Sequence, residues 1–484
     1  MTRTASFLLA LAAASPLLGQ GGGAPEAQDH AEKAVQFAQR GDLKSAETEL
    51  RKAVEMSPND PALLTSLGGI LGMEGDLQQA NAYLTRAVQL SPEDAASRRN
   101  LAANQWQLGH FKDAHENLDR LLRVNPQDRV AIFLLGMVSE REKNYARSIT
   151  LLESIPEIAE RQPEALVALA SSYYHTNRAE DARSLLKKLP GGLAKPQVIF
   201  MGGRVAMEGR DYALAEALFS AIRSTYPDTA AVESQIAFAQ YRQGHAAVSE
   251  ETLLAAISAK HANRDAYLLL CKVLADRGAY GKALHVANEA VQAFPESDEA
   301  LSTKASIEMK LNYFSQAMTS SQKAVRLRPC AETKRELAMA EWRAGARQQA
   351  INEFEQTIRQ FPRDARTLVE YGTLLLEDGS PENKGHAIEL LKQAIVADDS
   401  SVEARYQLAN IELADGKLQP ALEFLERAIK LEPDDSRLHF AISRVYRRLG
   451  RNSDADQEMA SYQKLKAAEH PAAQNDSALG TQRP

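Results

Sequence analysis

The chain has 484 residues, of which 44% are hydrophobic and 25% charged, a composition that excludes whole-chain disorder. A net charge of −7 leaves no basic excess of the kind phosphate binding requires, so nucleic acid is not expected as a partner. Two cysteines, Cys271 and Cys330, exclude a disulfide framework. They form neither a CxxC nor a metal-ligand spacing and are expected to be inert.

The N-terminus reads as a targeting segment. Arg3 supplies a positive charge, Ala5 to Leu18 is an uncharged apolar run, and small residues follow from Gly19 to Ala24. The run is shorter than the ~20 residues a membrane-spanning helix needs, so it fits a signal peptide over residues 1–20. A flexible leader is expected over 21–26. No cysteine ends the run, so no lipid anchor is expected there, and no later segment is long and apolar enough to cross a membrane.

From residue 27 the chain repeats. Pro58, Pro92 and Pro126 stand 34 residues apart; Pro295 and Pro329 continue the phase, and Pro362 follows with a one-residue slip. Twelve residues before these prolines stand Ala46, Ala80, Ala114, Ala283, Ala317 and Ala350, and five before four of them stand Ala53, Ala87, Ala290 and Ala324. Gly41, Gly75, Gly109, Gly278 and Gly345 precede the first alanine by five. Each unit therefore reads as a helix closed by glycine, a turn, and a second helix stopped by proline. The alanines let the two helices approach closely. One such hairpin cannot bury its own apolar face, so neighbours must stack.

This pattern resembles the tetratricopeptide repeat family, whose unit is a helix hairpin of 34 residues. Pro61 to Asp94 carries it most directly, with Leu67, Gly68, Gly75, Ala80, Leu84, Ala87 and Pro92 at the matching positions. The expected fold is all-α, a right-handed α-solenoid superhelix of about thirteen repeats over 27–466. The units start near 27, 61, 95, 129, 163, 196, 230, 264, 298, 331, 365, 402 and 436. Pro156 and Pro190 predict that the second helices of the fourth and fifth units end early. Ser380 to Lys384 reads as an insertion lengthening the turn of unit eleven, and unit seven ends in Lys260–Asn263 without a terminal proline. The tail, 467–484, is rich in Ala, Gln, Asn, Asp and Gly and is expected to be disordered.

No catalytic signature is present. The sequence holds no HExxH, no GxxxxGK[ST] and no GxSxG, and His110 and His115 are poorly spaced for one helix face. No catalytic residue, cofactor or metal is therefore expected. What remains is surface. The resemblance implies that ligands are met on the concave face by the second, fifth, ninth and twelfth residues of each unit. In units three to seven these positions give Trp106, Phe133, Met137, Tyr174, Phe200, Arg204, Met207, Phe238 and Tyr241, with Arg99 among them. Aromatic and arginine side chains are enriched at binding hot spots. The row reads either as an apolar groove for an extended peptide or as rings packing against the next hairpin. Arg437, Arg444 and Arg447 form a cationic patch, read either as a dock for acidic partners or as a solvated end cap. The lysine–asparagine clamp of the family's chaperone-binding branch is absent from units one and two, where Ala31, Val35 and Ser66 stand instead.

The resulting expectation is a non-catalytic scaffold, periplasmic or extracellular, that binds other proteins or peptides. The alternative is an accessory subunit of an envelope machine for exopolysaccharide secretion, pilus assembly or outer-membrane biogenesis.

Overall fold

The computed structural model describes residues 25–191 and 194–469. Residues 1–20, read as a signal peptide, lie outside the described residues, as do most of the leader and residues 470–484 of the tail. Pro25 and Glu26 already belong to the first helix, and Ala467–Glu469 to the last.

The described residues form 27 helices and no strand. They fall into two compact units, one ending at Ala266 and one beginning at Tyr267. In the first unit seven hairpins follow one another. They are α1 (Pro25–Gln39) with α2 (Leu43–Met56), α3 (Pro61–Glu74) with α4 (Leu77–Leu90), α5 (Ala95–Leu108) with α6 (Phe111–Val124), and α7 (Arg129–Arg141) with α8 (Tyr145–Glu153). After the short α9 (Pro156–Ala159) come α10 (Pro163–His175) with α11 (Ala179–Leu186), α12 (Pro196–Glu208) with α13 (Tyr212–Ala221), and α14 (Thr229–Arg242) with α15 (Ala246–Ser258). The helix in which the division falls is α16 (Arg264–Asp276), paired with α17 (Tyr280–Ala293). The second unit continues with α18 (Asp298–Lys310) and α19 (Phe314–Leu327), α20 (Ala331–Arg343) and α21 (Arg347–Gln360), α22 (Ala365–Asp378) and α23 (Pro381–Ala397), α24 (Val402–Ala414) and α25 (Leu418–Leu431), and α26 (Ser436–Arg448) and α27 (Asn452–Glu469). Each unit is an all-α solenoid of consecutive helix hairpins.

The second hairpin shows how the sequence builds one unit. The Asp60 carboxylate accepts hydrogen bonds from the Ala62 and Leu63 amides at 2.9 and 3.3 Å, capping α3. Pro61 takes the first helical position, where its missing N–H is not needed. Leu64, Leu67 and Leu71 recur at helical spacing and are buried. Gly75 closes α3 with φ of 95°, a conformation that crowds any Cβ. Asp76 then caps α4 through the Gln79 amide, and Ala80, Leu84 and Ala87 are sealed against α3. At Gly68 a Cβ would lie 2.6 Å from the Leu84 side chain, which is why this site holds glycine.

Each of the thirteen turns from first to second helix holds one residue with positive φ. Nine are glycines, and in the other four Lys143, Asn177, Arg210 and Asn312 take the strained conformation. The second helices of units four and five are short, as Pro156 and Pro190 predict: α8 has 9 residues and α11 has 8, against 14 in α4. Beyond the breaks the chain stays in the core through Ile155, Ala159 and Leu189. The insertion in unit eleven behaves otherwise than expected. Gly379 ends α22 and Ser380 caps α23 immediately, so the turn is not lengthened. The extra residues extend α23 to 17, because proline at its first position and the Ser380 hydroxyl bound to the Asn383 amide favour helix there.

Candidate functional site

In the first unit the ring-bearing row divides by burial. Phe133 is 3% and Met137 5% exposed, both sealed within the core of units three to seven, so neither lines an open groove. The correction has a simple cause: Leu134, Leu135 and Val138 flank them and the neighbouring hairpins close over all five. Phe200 is half-buried, stacked on Tyr226 at 4.7 Å and edge-on to Phe219 at 5.2 Å. Trp106 and Met207 are half-buried against the same core, and the Trp106 indole N–H has no acceptor among the described residues. Tyr174 is half-buried. Its hydroxyl donates to Asp211 Oδ2 at 3.2 Å, and its ring lies so close to Gly209 that a Cβ there would approach within 2.5 Å. Burial, then the Asp211 charge, raises its hydroxyl pKa. A small cavity of about 260 Å³ opens beside it, lined by Ser171, His175 and Glu208.

Phe238 is half-buried with the Arg242 guanidinium 5.8 Å above its ring, and Tyr241, three residues on, is half-buried too. Arg99 pairs with Asp128 at 3.4 Å. Arg204 is exposed and has no ion-pair partner among the described residues. Within the row, Phe133 and Met137 lie in the core, Phe200 packs against Tyr226 and Phe219, and only Arg204 is fully presented to solvent.

The patch near the C-terminus is largely compensated. Arg437 pairs with Asp435 at 2.8 Å and Glu403 at 3.1 Å, Asp435 first and then Glu403 raising its pKa, and it lies over the Tyr406 ring. Arg447 pairs with Asp456 at 2.7 Å. Arg444 alone of the three has no acidic partner among the described residues.

A groove lies in the second unit, across three successive first helices. It has a volume of about 770 Å³ and runs between α16, α18 and α20. On α18 its wall is Glu299, Ser302, Thr303 and Ser306; α16 contributes Leu268, Lys272 and Ala275; α20 contributes Glu332, Thr333 and Glu336. On α18 the fifth and ninth repeat positions, which hold Phe133 and Met137 in unit four, carry small hydroxyl side chains. That difference in bulk leaves the groove open, and it was present in the sequence: Ser302 and Ser306 are the fifth and ninth residues of unit nine.

Two charged pairs brace the rim, Lys272 with Asp276 at 3.3 Å and Arg328 with Asp298 at 3.5 Å. Deeper in, Glu336 Oε2 is buried and accepts no hydrogen bond among the described residues. Burial chiefly raises the pKa of this carboxyl, with Ser302 opposing and Glu332 reinforcing the shift. Cys271, beneath the groove, is fully buried with its thiol pushed up to about 12 by burial, which leaves it unreactive. Among the described residues no cluster of histidine, cysteine, aspartate or glutamate is arranged to hold a metal, and no helix is long and apolar enough to cross a membrane.

Tetratricopeptide repeat models match residues 73–134 and 386–439, and residues 31–95, 235–298 and 335–384, together more than half of the chain. No curated protein matches. Among solved structures the chain is similar to yeast Tom70, at 16% identity and a TM-score of 0.45 over 91% of each chain. It is similar to a chain of the APC/C hetero-tetramer Cut9-Hcn1 at 15% identity and a TM-score of 0.38 over 96% of each. A third similarity is to Pseudomonas aeruginosa pilF, at 20% identity and a TM-score of 0.35, covering 42% of this chain and 92% of that one. With repeats that imply a protein-interaction scaffold, the chain belongs to the tetratricopeptide repeat family.

Proposed function

We propose that the protein is a non-catalytic scaffold of the cell envelope that holds segments of partner proteins along its first helices, with the groove between α16, α18 and α20 as the main contact surface. The observation that carries this reading is the groove itself: three consecutive first helices present hydroxyls and charges around an open volume of about 770 Å³. Export rests on the apolar run Ala5–Leu18 behind Arg3.

A photo-crosslinking residue at Ser306, introduced in the native host, tests the contact. The expected outcome is one discrete adduct with an envelope protein, absent when the probe stands at the buried Phe133 position. Absence of any adduct from folded, localised protein overturns the groove as a partner surface. N-terminal sequencing of the mature protein tests export: an intact Met1 in a cytoplasmic fraction overturns it. Capture of an outer-membrane pore or pilus component would make the protein an accessory subunit of an export or assembly machine rather than a free-standing scaffold.

A further inference from the structure

His439 of α26 is held between two acceptors. Its Nδ1 donates to Glu458 Oε2 on α27 at 2.5 Å, and its Nε2 donates to the Pro433 carbonyl, in the turn between α25 and α26, at 2.8 Å. The ring is 9% exposed. A neutral imidazole carries one N–H, so it serves only one of the two and turns a lone pair toward the other oxygen. Both contacts together require the imidazolium. Unit three shows what this place in the repeat asks for. Arg98 reaches back six residues to the Pro92 carbonyl and forward nineteen to Asn117 Oδ1, the same two offsets, and it too is buried. Arginine donates both ways at any ordinary pH, whereas histidine does so only when protonated.

The charges around the ring favour protonation. Glu458 faces it from α27, and Asp435 from the N-cap of α26. Of the other elements packed on α26, α24 brings Glu403, already paired with Arg437, and α25 brings Glu426, which accepts from the Tyr446 hydroxyl at 3.5 Å. Burial works against the charge and is outweighed by the Pro433 carbonyl, then Glu458 and Asp435, so the pKa stands above the usual 6.5.

We propose that His439 is a pH-sensitive latch: as the imidazolium it fastens α26 and α27 to the Pro433 turn, and on losing its proton it gives up one of the two contacts and loosens the last described hairpin. A group whose pKa folding raises stabilises fully below its unfolded value and loses that contribution as pH rises through the folded one. The latch is therefore closed below about 6.5 and opens above it.

Hydrogen exchange of the full chain, corrected for the intrinsic pH dependence of amide exchange, tests this at about pH 5.5 and about pH 8.5. Protection in α27 should fall about fivefold between them, the loss of one hydrogen bond, with α18 as the reference for any slope shared by the whole second unit. His439→Arg, which restores the donor pair of Arg98, should keep α27 equally protected at both. His439→Asn, whose shorter amide keeps a neutral donor toward Glu458 alone, should leave it equally weakened at both. The imidazole resonance of His439, assigned through whichever variant folds, should titrate with a midpoint above 6.5 that Glu458→Gln lowers. Equal protection of the wild-type α27 at both pH values overturns the latch, as does a midpoint at or below 6.5. A slope that persists in His439→Asn assigns it to another group and overturns the latch as well.

Discussion

The two units fill the same repeat positions with side chains of different bulk. In the first, the fifth and ninth residues of unit four are Phe133 and Met137, and the fifth of unit six is Phe200. Phe133 and Met137 end in the core, and Phe200 is clamped between Tyr226 and Phe219. In the second, the corresponding residues of unit nine are Ser302 and Ser306, and an open groove results. A position that faces the first-helix surface is thus not a binding position by itself. Large apolar side chains there close over one another, because burying each ring removes apolar surface from water. Small polar ones leave an open volume between the helices.

The comparison is broken or sharpened by four measurements, the largest effect first. Phe133→Ala should destabilise the first unit by about 3–5 kcal/mol, read as a lower unfolding midpoint and faster hydrogen exchange in α7. A loss below about 1 kcal/mol would return Phe133 to the surface and restore the aromatic groove.

The second unit should instead show a pH dependence. Glu341 is 7% exposed, its Oε2 accepts no hydrogen bond among the described residues, and the neighbouring Lys334 is engaged by Glu353 at 3.3 Å. Burial, reinforced by Glu353, pushes its carboxyl up from 4.5 to about 7. A raised acid holds its proton more tightly in the folded state. Its contribution is therefore present below 4.5 and lost as pH rises through about 7. Stability of the second unit should fall by roughly 1–3 kcal/mol over that interval, and Glu341→Gln should flatten this part of the profile. An identical slope in the variant would remove Glu341 as its source.

Third, Lys143→Gly relieves positive φ in an exposed turn and should raise stability by about 1 kcal/mol, measured by urea unfolding. A loss would mean the lysine side chain contributes more than its backbone strain removes. Last, Ser306→Phe places a ring in the open groove and should shift the melting of the second unit by no more than about 0.5 kcal/mol. A gain approaching the Phe133→Ala loss would show that the groove closes as readily as the first unit does.

Much of the architecture was legible because its signals are local. Glycine at Gly75, alanine at Ala80 and Ala87 and proline at Pro92 each act through their own backbone or through a contact within one hairpin, so their spacing reports the hairpin directly. The short α8 and α11 followed from Pro156 and Pro190 for the same reason. The early end of α13 carried no proline and gave no such warning. The length of α23 was misread because residues that look like an inserted turn also satisfy a helix start. Whether Arg437 is a free cation was equally hidden, since Glu403, 34 residues earlier, becomes its neighbour only on stacking.

By itself the sequence determined the family, the hairpin repeat and the places where helices begin and stop, since these depend on backbone preferences and on contacts between residues close in the chain. Only the tertiary structure decided which side chains of the repeated surface are core and which are groove. That outcome depends on the summed volume and charge contributed by two or three neighbouring hairpins, and no single repeat contains it.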